Sequence, residues 1–419
     1  MRGLLLDVSP LRESRAFRRV FFGSLLSNIG SALTTVAIPI QVYRSTGSSL
    51  DVGLLGLATG VPLIVLGLYG GAVADRLDRR RLVLLSSVGL TGVSAGLYVQ
   101  SALGGRLLWL VYVLVTLQSA LRGLQAPALR SFGARLLGLE KQTAVQGLAA
   151  ISFQITLTVG PLLAGLVIAV SGVGLAYAVD AVSFSASLYA VAKLPPILPE
   201  GGGGQRGLRA IAAGLAFVRS QPVLLGTLVA DLDATVLGFS KALFPAFAAV
   251  RLHGGAQTVG LLYAALAAGG VVGSIFSGPL NRVGRQGVVL VISVGVWSAC
   301  FAAFGLSTSL WLSLGLLFAA GAADIVNGIL RGTILQVNAP DSLRGRVNSV
   351  GFVAGAGGPS MGDIEAGAVA AATSPMFSAV SGGCAALVGI CLIAWRSPGL
   401  LRYDTRRPGP SPDVGLQSP

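Results

Sequence analysis

The chain has 419 residues, of which 53 % are hydrophobic and only 11 % charged, with a mean hydropathy of +0.78. Soluble domains carry about 25 % charged residues, so this composition excludes an ordinary water-facing surface. The formal net charge of +14 would suggest nucleic acid in a soluble protein; the placement of the charges, given below, excludes that as well.

A basic segment, residues 1–19, ends in Arg18-Arg19 and leads directly into a full-length apolar run, so no cleavable signal peptide is expected. Twelve spans follow, near 20–42, 52–73, 82–102, 107–129, 143–169, 174–193, 222–246, 256–279, 287–307, 309–332, 347–371 and 375–395. Each matches a hydrocarbon core about 30 Å thick. They must be helices, because in lipid a segment satisfies its own backbone hydrogen bonds. Between spans six and seven, residues 194–221 read as a Pro/Gly linker followed by a short amphipathic helix, "RGLRAIAAGLAFVRS", on the membrane surface. Residues 397–419 are expected to be a disordered tail. The domains are thus a helical bundle over 20–193 and a second over 222–396.

Of the 30 Lys and Arg, 24 fall on the side of the termini, three (Arg44, Arg106, Arg251) on the opposite side and three (Arg122, Lys241, Arg331) within spans. The positive-inside rule therefore puts both termini in the cytoplasm, with the chain in the cytoplasmic membrane. Positive charge spread over seven segments is an orientation signal and not a nucleic-acid patch. The cysteines (Cys300, Cys384, Cys391) lie in apolar runs without ligand spacing, and the single His253 falls in a loop. They read as small hydrophobes and leave no metal site.

The chain repeats itself at offsets near 200. "GGAVADRLDRR" returns as "SGPLNRVGRQ", pairing Asp75 with Asn281. Gln118 and Gln125 pair with Asp324 and Arg331, Pro161 with Pro359, and Asn28 with Asp231. Two homologous halves of six helices are a signature of secondary transporters, whose site lies between the halves near the midplane.

"GGAVADRLDRRRL" resembles the loop signature of the major facilitator superfamily. Gly71, Asp75, Arg76, Arg79 and Arg80 fill its positions, and Asp78 stands where glycine is usual. The second copy is degenerate and keeps Arg282, Gly284 and Arg285, with Asn281 for the acid. Gly147, Gly160, Pro161 and Gly165 resemble the antiporter motif of the superfamily's exporters. "VAIPIQVYRSTGSSLDVGL", "ALFPAFA" and "LQVNAPDSLRGRVNS" are similar to the enterobactin-exporter branch, which also contains drug-efflux relatives. The resemblance implies an all-α integral membrane protein of twelve transmembrane helices in two pseudo-symmetric six-helix bundles, the major facilitator fold. It further implies a central cavity lined by spans one, four, seven and ten, with the chain working as a monomer.

A charge at the centre of a membrane helix costs about 2.5–3.5 kcal/mol on insertion scales and is tolerated where it faces the bundle interior. Gln118, Arg122 and Gln125 share one face of span four, and Asp324, Asn327 and Arg331 one face of span ten. Asp231 and Asp233 lie about 200° apart, so Asp231, paired by the repeat with Asn28, is expected in the cavity and Asp233 against a neighbouring helix. Lys241 is expected toward the outer side. These groups read either as structural ion pairs or as a site where proton and substrate compete. Asp231 and Asp324 lead as proton carriers; Asp233, Asp363 and Glu365 follow, the last two with cytoplasmic loop arginines as alternative partners. The loop residues Gly71, Asp75, Arg76, Arg79, Arg80, Asn281, Arg282, Gly284 and Arg285 are expected to act as a gate. Gly160, Pro161, Gly165, Gly358, Pro359 and Gly362 read as helix bends or as plain close packing.

The expected function is proton-coupled antiport, exporting a small organic molecule by alternating access, without a cofactor. The mixed-sign cavity suits an amphipathic or zwitterionic substrate, or an anionic siderophore held by Arg122, Lys241 and Arg331. An importer or symporter is the alternative. A membrane enzyme lacks ligands or a nucleophile–base pair to build on, a receptor would usually carry a soluble domain, and no GxxxxGK[ST] loop for ATP occurs.

Overall fold

The computed structural model describes residues 7–404 apart from 75–76, 106, 196, 198–207, 239, 279 and 281–282. The described residues form helices and connections, without a strand. Helix α1 (Ser9–Glu13) precedes α2 (Arg15–Thr46), α3 (Ser49–Ala74), α4 (Arg79–Ala102), α5 (Leu108–Leu137) and α6 (Gln142–Ala192). Then come α7 (Leu208–Ser220), α8 (Pro222–Leu232), α9 (Phe244–Val250), α10 (Ala256–Ile275), α11 (Gln286–Leu306), α12 (Leu310–Val337), α13 (Asp341–Ala372), α14 (Pro375–Arg396) and the short α15 (Pro398–Leu401).

Ten helical stretches among the described residues are long and apolar enough to cross a bilayer. One of them, α6, has 51 residues and leaves helical geometry at Gly172, φ 77° and ψ 176°. Spans five and six are therefore two crossings joined through one glycine that tolerates a positive φ. The more polar α13, 32 residues long, accounts for span eleven. The set is consistent with the twelve spans read from the sequence. Side chains such as Val170, Trp311 and Trp395 are exposed on the periphery, as a surface solvated by lipid requires.

Helices α2 to α6 pack chiefly on one another, and α8 to α14 do likewise. Two seams join the groups, α3 against α13 and α6 against α10. Both are closest on the side opposite the termini. There Gly53 of α3 meets Gly367 of α13, and Gly165 of α6 meets Gly260 of α10. A Cβ on Gly260 would lie 2.6 Å from the Pro161 carbonyl oxygen. Toward the termini Ile151 and Phe153 of α6, Ile275 at the end of α10 and Phe276 just after it are exposed.

Three expectations change. Span seven is not one helix: α8 passes into a π turn at Asp233–Leu237, Ser240 is extended, and a 3₁₀ turn at Lys241–Leu243 starts the outer half-helix α9. Pro245 sits in the first turn of α9, where its missing N–H costs nothing. The Trp297 indole donates to the Ala234 carbonyl (3.3 Å) and the Thr235 hydroxyl to that of Asp231 (2.7 Å), satisfying backbone that the break frees. The amphipathic helix exists as α7, but it packs on α13 and α8, with Val218 fully buried, and is not simply laid on lipid. Residues 397–404 are ordered, not a disordered tail: Leu400 is fully buried, and the Asn338 amide donates to the Tyr403 hydroxyl at 2.5 Å. Residues 405–419 lie outside the described residues.

Candidate functional site

The site is built where α8 breaks. Asp231, in the last turn of α8, is 2 % exposed. Its carboxylate pairs with the guanidinium of Arg331 on α12 and accepts from the Asn327 amide at 3.3 Å. Asn327 Oδ1 is left buried without a partner. One carboxylate thus gathers two members of the α12 stripe, which fixes α8 against α12 at membrane depth.

Asp324 belongs to the same stripe. At about 100° per residue it falls on the face of the buried Ser313, Leu317 and Ala320 and opposite the exposed Trp311 and Leu312. Asp324 is nevertheless exposed. An exposed residue on the protein-facing side of a helix looks onto an internal opening. It lies in the fields of Lys241, Asp231 and Arg331.

Lys241 is exposed in the 3₁₀ turn and lies in the fields of Asp324 and of Asp363 on α13. Asp363 accepts from the Ser240 hydroxyl at 2.7 Å. Ser240 is the cap of the 3₁₀ turn that α9 continues, its hydroxyl oxygen accepting from the Ala242 backbone N–H at 3.0 Å, so Asp363 holds the capping side chain at the end where backbone donors are unpaired. This corrects the alternative of cytoplasmic-loop partners for Asp363: it lies on the far-side half of α13, beside Gly56 of α3. Glu365, two residues on, points elsewhere and lines a small closed pocket with Leu237, Ser240, Phe301 and Ser378. Asp233 turns away from Asp231 as its spacing predicts and packs on Gly389 of α14, one carboxylate oxygen buried without a partner.

On the other group of helices, Gln118, Arg122 and Gln125 form the stripe on α5 opposite the exposed Trp109 and Val113. Each has a buried polar atom without a partner: Gln118 Nε2, one terminal nitrogen of Arg122, and Gln125 Oε1. Asn28 is exposed on α2. The sequence reading missed Asp180 on α6. It is fully buried and accepts from the hydroxyls of Ser31 (3.0 Å), Thr34 (2.7 Å) and Ser94 (2.8 Å), and it is the acid whose field reaches Arg122. A signal was present, since a lone carboxylate inside "LAYAVDAVSF" meets the same test that singled out Asp231.

Four of the loop residues, Asp75, Arg76, Asn281 and Arg282, lie outside the described residues. Gly71 lies in the last turn of α3, and the Arg79 backbone N–H donates to the Ile197 carbonyl at 3.1 Å. Arg80 donates to the carbonyls of Val191 (3.3 Å) and Ala192 (2.7 Å) at the end of α6. Asp78 caps α4 by accepting from Arg80 N–H at 2.9 Å and also accepts from Ile197 N–H at 3.1 Å. An acid at that position therefore has a local use, which accounts for the departure from glycine. Gly284 lies beside the Asp404 carboxylate, and Arg285 precedes the first turn of α11. Of the helix-bend candidates, Gly160 packs on Ala32, Gly165 on α10, and Gly358 and Gly362 on Thr235. The one non-helical residue in α6 is Gly172, and α13 runs unbroken through Pro359. Close packing is the better description of the four glycines and the buried Pro161, while Pro359 is exposed.

Among the described residues no group of three or more His, Cys, Asp or Glu could hold a metal ion.

Comparison with known proteins agrees with the fold. A major facilitator family described as transmembrane secretion effector matches residues 7–405. The chain is 30 % identical over 413 residues to the enterobactin exporter EntS of Citrobacter koseri, covering 98 % of each chain. Among solved structures it is similar to the nucleoside transporter NupG, with a TM-score of 0.73 at 14 % identity, covering 91 % of this chain and 98 % of that one. It is also similar to a bacterial homologue of the iron transporter ferroportin in an inward-facing state, with a TM-score of 0.67 at 17 % identity, covering 91 % and 98 %.

Proposed function

Because the chain belongs to the major facilitator superfamily, within its transmembrane secretion effector family, and is therefore a multi-pass membrane transporter and not an enzyme, we propose that it exports a small organic molecule in exchange for protons. In this reading the termini lie in the cytoplasm and the two helical groups are the two lobes, held against each other on the far side by the glycine seams. The observation that carries the reading is Asp324, an exposed acid on the inward face of α12 with no hydrogen bond of its own. A carboxylate at membrane depth is held by a counter-charge or by a proton. Asp231 has Arg331; Asp324 shares the fields of Lys241 and Arg331 with other acids and is the group left to take the proton.

Export is supported by the EntS relative and by the Gly160-Pro161 element on the α6–α10 seam. The lobes would rock about the two glycine seams, closing them toward the cytoplasm as they part on the far side. The acids of α8 and α12 would then meet one aqueous side at a time, and a substrate seated beside Asp324 would displace its proton.

The test is efflux of a panel of amphipathic compounds from cells with and without the protein, repeated with the proton gradient collapsed. Efflux that survives collapse of the gradient, or gradient-driven efflux retained in full by both Asp231→Asn and Asp324→Asn, overturns the proton assignment.

A further inference from the structure

We infer that the substrate carries one cationic and one anionic group, a zwitterionic amphiphile and not a polyanion. The inference rests on the reading above that α5 and α12 wall the transport path, and it assigns a seat for each charge.

Three cations lie within the membrane segments: Arg122, Lys241 and Arg331. Arg331 is committed to Asp231. Lys241 makes no ion pair of its own but lies in the fields of two acids, Asp324 and Asp363. A polyanion therefore meets one cation paired with an acid, a second in the field of two acids, and Asp324 itself. Displacing those acids would strand charges at low dielectric, which is costly.

Arg122 is different. It makes no hydrogen bond, and one of its terminal nitrogens is sealed from solvent. Asp180, the acid whose field it feels, does not bond to it; three hydroxyls from α2 and α4 donate to that carboxylate instead. These hydroxyls keep Asp180 satisfied and leave the guanidinium available. Beside it Gln118, only 7 % exposed, directs an unpartnered amide nitrogen along the same face. Two unused donors, one of them charged, form a seat for a carboxylate. Gln125 Oε1 adds an acceptor to the same stripe.

The seat for the cation is Asp324. It is exposed on the inward face of α12 and bonded to nothing in the protein. Asp324 lies in the fields of Lys241, Asp231 and Arg331 and Arg122 in that of Asp180, so the two seats do not answer each other. A ligand that joins them must carry its ammonium and carboxylate apart, toward α12 and α5 respectively.

The test is equilibrium binding to the full-length protein in lipid nanodiscs. The probes are Nα-dansyl-lysine, a zwitterion whose ε-ammonium stands apart from its carboxylate, its methyl ester, a cation, its Nε-acetyl derivative, an anion, and the trisulfonated dye pyranine. One charge-assisted hydrogen bond contributes about 1.5–3 kcal/mol, so the zwitterion is expected to bind about tenfold or more tightly than either single-charge probe, with no pyranine binding. In Arg122→Gln the preference over the methyl ester falls to about one. In Asp324→Asn the preference over the N-acetyl form does so. Each ratio is read within one folded variant, checked by its melting curve, so a general loss of affinity does not imitate the result.

Tighter binding of pyranine or the N-acetyl probe than of the zwitterion overturns the inference. So do ratios unchanged in both variants, or no binding by any probe. Binding needs neither gradient nor direction. An intact charge pattern with failed efflux therefore refutes the coupling proposal alone, and a flat pattern with intact efflux refutes this one alone.

Discussion

Arg331 on α12 and Asp231 on α8 form an ion pair just ahead of the break in span seven, and Asn327 holds the carboxylate's other oxygen. The pair ties the inner half of the broken span to its neighbour and leaves the outer half to separate fastenings.

Removing one member strands the other. Asp231→Asn is expected to stop gradient-driven efflux, and Arg331→Gln to lower stability by up to about 3 kcal/mol, since the Asp231 charge is then buried alone. The double variant should recover most of the melting temperature without recovering transport. Equal melting temperatures in the two single variants and the wild type would show that the pair contributes nothing to the fold.

Asp233 and Gly389 give the opposite result. The carboxylate has no counter-charge and occupies the space that a side chain on α14 would need. Asp233→Ala is expected to leave efflux at half or more of wild type and stability unchanged or slightly raised, since an unpaired buried polar group is removed. Gly389→Ala should destabilise by roughly 1–3 kcal/mol through overpacking, and the double variant should restore the loss. A Gly389→Ala protein as stable as the wild type would place Asp233 elsewhere.

The end of the chain is a structural part. Truncation after Arg396 removes the fully buried Leu400 and the Tyr403–Asn338 bond, and should cost about 2 kcal/mol or more. Burial raises the Tyr403 phenol above its usual range, with the Asp404 charge adding and the Asn338 bond opposing. The folded chain thus keeps that proton to higher pH than the unfolded chain. Stability contributed by the docked tail is present below the ordinary tyrosine range, about pH 10, and is lost as pH rises through it. Tyr403→Phe should remove that alkaline dependence in a thermal melt.

The α6–α10 seam can be forced apart. A side chain at Gly260 meets the Pro161 carbonyl oxygen and the backbone of Gly165, so Gly260→Val is expected to hold the far side open. In a background without native cysteines, an introduced cysteine at Ala256 should then react several-fold faster with a membrane-impermeant thiol reagent added from outside. Unchanged labelling would mean the seam is not the closure on that side.

Much of this was legible because lipid is an unforgiving solvent. Apolar runs had to be helices, and charges such as Arg122 and Asp324 had to turn inward, so their i, i+3, i+4 and i+7 spacings located two polar stripes on the faces turned from lipid. The internal repeat singled out Asp231 through Asn28. The break after Leu232 was harder to see. A π turn and an extended Ser240 depend on Trp297 and Asp363 arriving from other helices, and nothing local announces that. Asp180 itself could have been singled out as a lone carboxylate in an apolar run; its three hydroxyl partners could not, because they come from spans one and three. The ordered tail follows from Leu400, one apolar residue whose pocket is built by α8 and α11.

The glycine contacts on the far side, Gly53 with Gly367 and Gly165 with Gly260, have a kinetic corollary. Backbone resting on backbone holds no rotamer to flip and no ion pair to resolvate, so nothing there ratchets the two faces together. Which way the protein faces at a given moment would then be decided in the middle, by whatever occupies the space between Arg122 and Asp324, and the turnover rate would track occupancy there more closely than any lock at the rim.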